Sequence, residues 1–272
     1  MPLNSQWYSS GLTTGNQRQQ EAAVPRRIQL TVAYDGTGFH GWQVQPGQAT
    51  VQAELEAVLG QLEGSPVHVA GSGRTDAGVH ALAQVAACSL HNPIPVENLV
   101  RAMNKLLPAA IRITAARDVA LHFHPRFQAK RKTYEYRIFR GAICSPFECR
   151  YLHHHPYPLD IAAIEVLAPL LEGTHDFSAF ATADEKDELG GSKVRTIFRS
   201  YIDAQGDHLR YRVSGNGFLK HMVRNIVGTL LEGGKGNLDA AGLKSFLEPG
   251  HGRKAGPRAP ACGLYLVSVE YD

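Results

Sequence analysis

One short stretch, Gly71-Ser72-Gly73-Arg74-Thr75-Asp76-Ala77-Gly78, sets a carboxylate, a guanidinium and hydroxyls among three glycines. Glycine lets a backbone turn tightly and come close to a ligand. Arg74 and Asp76 stand two residues apart, so in an extended or turning stretch they share a face and can pair. A carboxylate beside a guanidinium stays ionised and aimed, ready to act as nucleophile or base. The same residues also suit an ordinary Asx-turn in a hairpin. The Gly-Lys-Ser/Thr ending of a P-loop is missing, and the glycine spacing is not G-x-G-x-x-G.

The elements around this loop have to hold it. Pro66–Ala70 before it and Ala83–Ser89 after it read as strands. Upstream, Arg27–Tyr34 alternates polar and apolar residues as a half-buried strand does. Thr50 then caps a helix with Val51, Leu55, Val58, Leu59 and Leu62 on one face. Downstream, Pro95 opens a helix carrying Leu99, Met103 and Leu106, and Ile111–Ala115 is the next strand. The order is β-α-β-β-α-β, the split unit of ferredoxin-like folds. The second half repeats it: a strand at Thr133–Phe139, a helix at Leu159–Leu171, and strands at Val194–Ala204 and His208–Val213. An amphipathic helix at Phe218–Glu232 and a last strand at Leu264–Val269 complete the repeat. A polar insertion (Gly173–Ser192) and a short helix near Leu238–Leu247 are additions. The class is therefore α+β, with a first half at residues 26–120 and a second at 121–272.

Bulk properties narrow the function. A chain of 272 residues makes one large domain or two packed halves. No apolar run is long enough to cross a membrane. Residues 1–25 are polar, lack the apolar core of a signal peptide, and read as a disordered tail. The four cysteines form no C-x-x-C pair, which fits reduced thiols in a cytoplasmic protein. His153-His154-His155 fits no standard zinc spacing, so no metal is expected. Net charge is only +3, but Arg126, Lys130, Arg131, Lys132, Arg137 and Arg140 cluster, as do Arg253, Lys254 and Arg258. Such patches bind a polyanion locally, or are simply a solvated face.

Arg74-Thr75-Asp76-Ala77-Gly78-Val79-His80-Ala81 resembles the signature of the TruA family of tRNA pseudouridine synthases. Five further stretches resemble that family in the same order. They are His40-Gly41-Trp42-Gln43 with Thr50-Val51-Gln52; Arg126-Phe127 with Tyr134-Glu135-Tyr136; His175-Asp176-Phe177-Ser178-Ala179-Phe180; Phe218 to Leu230; and Ala259-Pro260-Ala261-Cys262-Gly263-Leu264. Pro125 departs from the family, which commonly has alanine there. The resemblance implies two ferredoxin-like halves joined across a pseudo-dyad into one continuous, mostly antiparallel sheet, with helices on one face and a central catalytic cleft. It implies isomerisation of uridine to pseudouridine on the 3′ side of the tRNA anticodon stem-loop, by a homodimer and without a cofactor.

Asp76 becomes the catalytic carboxylate, attacking C1′ of the sugar or C6 of the base, or acting as a base on the sugar. Arg74 orients it and receives phosphate. Arg224 lies on the polar stripe of its helix with Lys220, His221, Asn225 and Gly228, an ordinary surface stripe until the resemblance assigns it to the active site, facing Asp76 or a phosphate. Tyr134 reads as core in an alternating strand; matched to the family's tyrosine, it stacks on the target base. Leu264 likewise reads as core, and by resemblance packs against that base. The rival readings are a non-catalytic RNA-binding module, whose aromatic RNP motif is not seen, and a metal-dependent phosphate hydrolase, which needs more carboxylates than this loop offers.

Overall fold

The structure is a computed structural model describing residues 24–182, 191–250 and 252–271. Of the expected tail only Val24 and Pro25 fall within that range; residues 1–23, and 183–190 of the polar insertion, lie outside the described residues.

Strand β1 (Arg26–Tyr34) buries Ile28, Leu30, Val32 and Tyr34, as its alternation requires. Helix α1 (Val51–Glu63) begins at Thr50, whose hydroxyl accepts a hydrogen bond from the Ala53 N–H, and ends at Gly64 in the left-handed conformation. Thr50 is fully buried. Thr50→Ala is expected to lower unfolding free energy by about 1 kcal/mol, read as a lower urea midpoint at unchanged slope.

Strand β2 is only Ala70–Gly71, shorter than the Pro66–Ala70 stretch predicted. Helix α1 is the reason. Its Glu56 carboxylate accepts from the Val69 N–H (3.0 Å) and its Gln52 amide donates to the Val69 carbonyl (3.0 Å), so a strand partner is not needed there. Strand β3 (His80–Leu90) shares one edge between two partners. Its Ala86 and Ala87 pair with β2, while His80 and Ala81 pair in parallel with Tyr265 and Leu266, respectively, of β10 (Leu264–Glu270). A β2 running back to Pro66 would extend along Cys88–Leu90, the end of β3 away from β10.

The remaining elements are α2 (Val96–Leu106), β4 (Ile111–Val119), β5 (Arg131–Phe139), β6 (His153–His154) and α3 (Ile161–Leu167, extended by a 3-10 turn). After them come β7 (Gly173–Asp176), β8 (Val194–Gln205), β9 (His208–Gly215), α4 (Met222–Gly234) and α5 (Ala240–Ser245). One sheet runs β4-β1-β3-β10-β5-β9-β8-β7, with β2 beside β3 and β6 beside β5. Each half has the spatial order of a ferredoxin-like unit: β4-β1-β3-β2, then β10-β5-β9-β8. Pairing is antiparallel except for β10 with β3 and β5 with β6. The insertion after α3 is not wholly irregular, since β7 pairs with β8.

Helix α4 starts four residues later than its periodicity predicts. His221 has φ 63°, which interrupts a right-handed helix, and the residues before it close a separate turn in which the Met222 N–H donates to the Leu219 carbonyl (3.1 Å).

Candidate active site

The Asp76 loop is clamped from several directions. The Trp42 N–H donates to the Thr75 carbonyl (3.1 Å), and the Gly78 N–H donates to the Phe39 carbonyl (3.3 Å). Gly41, at φ 91°, lies so close that a Cβ there would stand 2.4 Å from the Thr75 carbonyl oxygen. The Thr75 hydroxyl is buried against the Tyr34 hydroxyl at 2.8 Å. Below the loop, Lys132 Nζ donates to the Ser72 carbonyl (2.6 Å), and the Ser72 hydroxyl donates to Gln84 (2.5 Å). Burial, with the charge of Arg126 nearby, pushes the Lys132 amine down to about 8.

Held this way, the Asp76 side chain is only partly buried, 25 % exposed. Its Oδ2 accepts from Arg224 Nη1 at 2.9 Å. Arg224 is itself fixed: its Nε donates to the Ala259 carbonyl (2.8 Å), and the Ala259 N–H donates back to the Arg224 carbonyl (3.1 Å). The chain beside Ala259 runs against α4, where a Cβ on Gly228 would stand 1.5 Å from the Pro257 carbonyl oxygen. Three separated stretches, around Gly41, Asp76 and Arg224 with Ala259, thus meet at one carboxylate.

Arg74 does not pair with Asp76 as their spacing predicts. Thr75 turns inward to Tyr34, and the exposed Arg74 donates through Nε to the Gln43 side chain (3.2 Å). Arg224, expected to face Asp76 or a phosphate, is the arginine that pairs with the carboxylate. Tyr134 is buried, its ring edge-on to Phe218 at 5.0 Å. Burial raises its phenol well above the ordinary range, and the neighbouring Tyr34 phenol and Asp76 carboxylate act in the same direction, so it is neutral. Leu264 is buried at the start of β10, opposite Tyr136 of β5.

The basic clusters divide. Arg137 donates to Glu135 (2.7 Å) and lies 3.9 Å from the centre of the Tyr265 ring; Arg140 donates to the Gly206 carbonyl. Lys254 donates to the Ala181 carbonyl. Arg126 remains exposed, and its charge is felt at Lys132, whose amine holds the Ser72 carbonyl, and at Arg195. His221 and Arg258 also reach the site, with His221 Nε2 3.5 Å from Asp76 Oδ2 and Arg258 against the imidazole. Sequence reasoning placed His221 on a polar stripe and Arg258 in a basic cluster, and no local pattern in either marks its neighbour.

A family model described as tRNA pseudouridine synthase matches residues 30–128 and 167–272. The chain belongs to that family. It is 62% identical over 246 residues to the tRNA pseudouridine synthase A of Solibacter usitatus, covering 90% of this chain and all of that one. To the protein of the same name from Geobacillus kaustophilus it is 44% identical over 250 residues, covering 92% and 96%. To that of Lacticaseibacillus casei it is 45% identical over 248 residues, covering 89% and 98%.

Proposed function

We propose that this protein isomerises uridine to pseudouridine in tRNA, with Asp76 as the essential carboxylate. The observation that carries the reading is the partly exposed carboxylate itself, fixed through one oxygen by an arginine that the Ala259 strap holds in place. The net change breaks the N1–C1′ bond, turns the uracil and forms a C5–C1′ bond; C5 loses a proton and N1 gains one. Asp76 serves as nucleophile at C1′ or C6, or as base on the sugar. Arg224 orients it, as an arginine with fixed hydrogen bonds does well. The target base must leave its stack, at a cost of a few kcal/mol that stacking and phosphate contacts offset. Tyr134 and Leu264 flank that base, and the exposed Arg74 meets phosphate. The substrate region is the anticodon stem-loop, and the working form a cytoplasmic homodimer needing no cofactor.

The test is to incubate the pure protein with unmodified tRNA transcripts and map pseudouridine. Sites within the anticodon stem-loop are the expected result. Binding without any pseudouridine would favour the RNA-binding module.

A further inference from the structure

Among the described residues, His221 is the one residue other than glycine with a left-handed backbone, at φ 63°. A side chain is strained in that conformation, and such strain persists where surrounding contacts enforce it. The contacts here tie the imidazole to Asp76, Thr182 and Arg258. His221 Nε2 lies 3.5 Å from Asp76 Oδ2. Its Nδ1 is 2.9 Å from the Thr182 hydroxyl, and Arg258 Nη1 stands 3.0 Å from Nδ1 and 3.3 Å from Nε2. A guanidinium only donates, so the nitrogen it meets more closely carries a lone pair. A ring that accepts from Arg258 is neutral, and with Nδ1 as the acceptor its proton sits on Nε2, the nitrogen nearer Asp76. Arg224 approaches the same carboxylate oxygen, while Oδ1 has no hydrogen-bond partner among the described residues.

We propose that His221 is a positioning residue that, with Arg224, holds Asp76 through Oδ2 and thereby presents Oδ1 to the substrate. The inference rests on the reading of Asp76 as the working carboxylate. Strain in the backbone at 221 is the condition for bringing an imidazole to that oxygen; a helix running unbroken from Phe218 would carry the side chain elsewhere.

The neutral ring has a further consequence. Burial lowers the affinity of His221 for a second proton; Asp76 opposes that, and Arg258, Arg224 and Lys220 reinforce it. When pH falls far enough to protonate the ring, Nδ1 ceases to accept from Arg258, two cations face each other, and Asp76 Oδ2 gains a full ion pair. The carboxylate is then less reactive, so turnover falls on the acid side, with a midpoint below the usual histidine value of about 6.5.

His221→Gly is the discriminating variant, because glycine adopts this backbone freely and removes only the imidazole. His221→Asn, which also tolerates it, serves if the glycine variant unfolds. Pseudouridine formation at saturating tRNA, KM, melting temperature and the pH profile are measured for each beside wild type. The expected result is an unchanged or higher melting temperature, KM within about threefold, kcat lower by roughly ten- to hundredfold as for a misplaced reacting group, and loss of the histidine limb of the profile. A glycine variant with wild-type kcat and an unchanged acid limb overturns the inference while leaving the proposed function standing. A wild type that makes no pseudouridine overturns that function, and this inference with it.

Discussion

Asp76→Asn is expected to abolish pseudouridine formation while leaving fold and tRNA binding nearly unchanged. Asparagine is almost isosteric, and the loop is held chiefly by contacts to its neighbours: the Thr75 carbonyl, the Gly78 N–H, the Thr75 hydroxyl and the Ser72 carbonyl. None of these is altered by the substitution. Arg224 loses a charged partner but keeps the Ala259 carbonyl, so it is not left buried without a hydrogen bond. The amide cannot serve as nucleophile or base, and turnover should fall to background. RNA affinity comes mainly from phosphate contacts and stacking, and removing a negative charge does not weaken those, so Kd should stay within roughly tenfold, about 1.4 kcal/mol. Pseudouridine formed at saturating tRNA, together with filter binding at fixed salt, decides the matter. A variant that keeps a substantial fraction of the wild-type rate would remove Asp76 from the mechanism.

Gly41→Ala should damage stability and activity together. At φ 91° an alanine is strained before any contact is counted, and its Cβ would lie 2.4 Å from the Thr75 carbonyl oxygen and 3.1 Å from the Asp76 carbonyl carbon. Both are backbone atoms and cannot swing aside, so the loop itself has to move. Loss of about 3 kcal/mol or more is expected from strain combined with displaced hydrogen bonds. Because the displaced residues are Thr75 and Asp76, kcat should fall even at temperatures where the variant remains folded. Thermal unfolding and single-turnover rates check the two effects separately; a folded variant with normal turnover would show that the loop tolerates a shift of this size.

The parts of the molecule legible in sequence are those set by local pattern. The alternation of Ile28, Leu30 and Val32, the cap at Thr50 and the apolar face of α1 all appear in the fold as read. The site was legible only in pieces. Asp76 stood out through its glycines, whereas the direction of its side chain is set by Arg224, 148 residues away. Spacing alone therefore gave it Arg74 as a partner, and the inward turn of Thr75 defeats that rule. His221 fails for a related reason. Its periodicity is helical, and its left-handed backbone accompanies contacts with Arg258 and Thr182, 37 and 39 residues distant. The short β2 is similar, since the groups that relieve it of strand pairing are side chains of α1.

The place of β10 bears on when this protein becomes an enzyme. It is the last strand in the sequence, yet it lies between β3 and β5 in the middle of the sheet. Contacts of such long sequence separation form late, because a long loop must close before they give anything back. On a ribosome, β1, β3 and β4 can pair with one another as they emerge, but the His80 end of β3 has to wait for Tyr265 and Leu266. Arg224 waits as well, for it is anchored by Ala259, just ahead of the same strand. A nascent chain can therefore fold much of its first half and still lack the fixed carboxylate; docking of the final strand joins the two halves and brings the strap that anchors Arg224 into place in the same event.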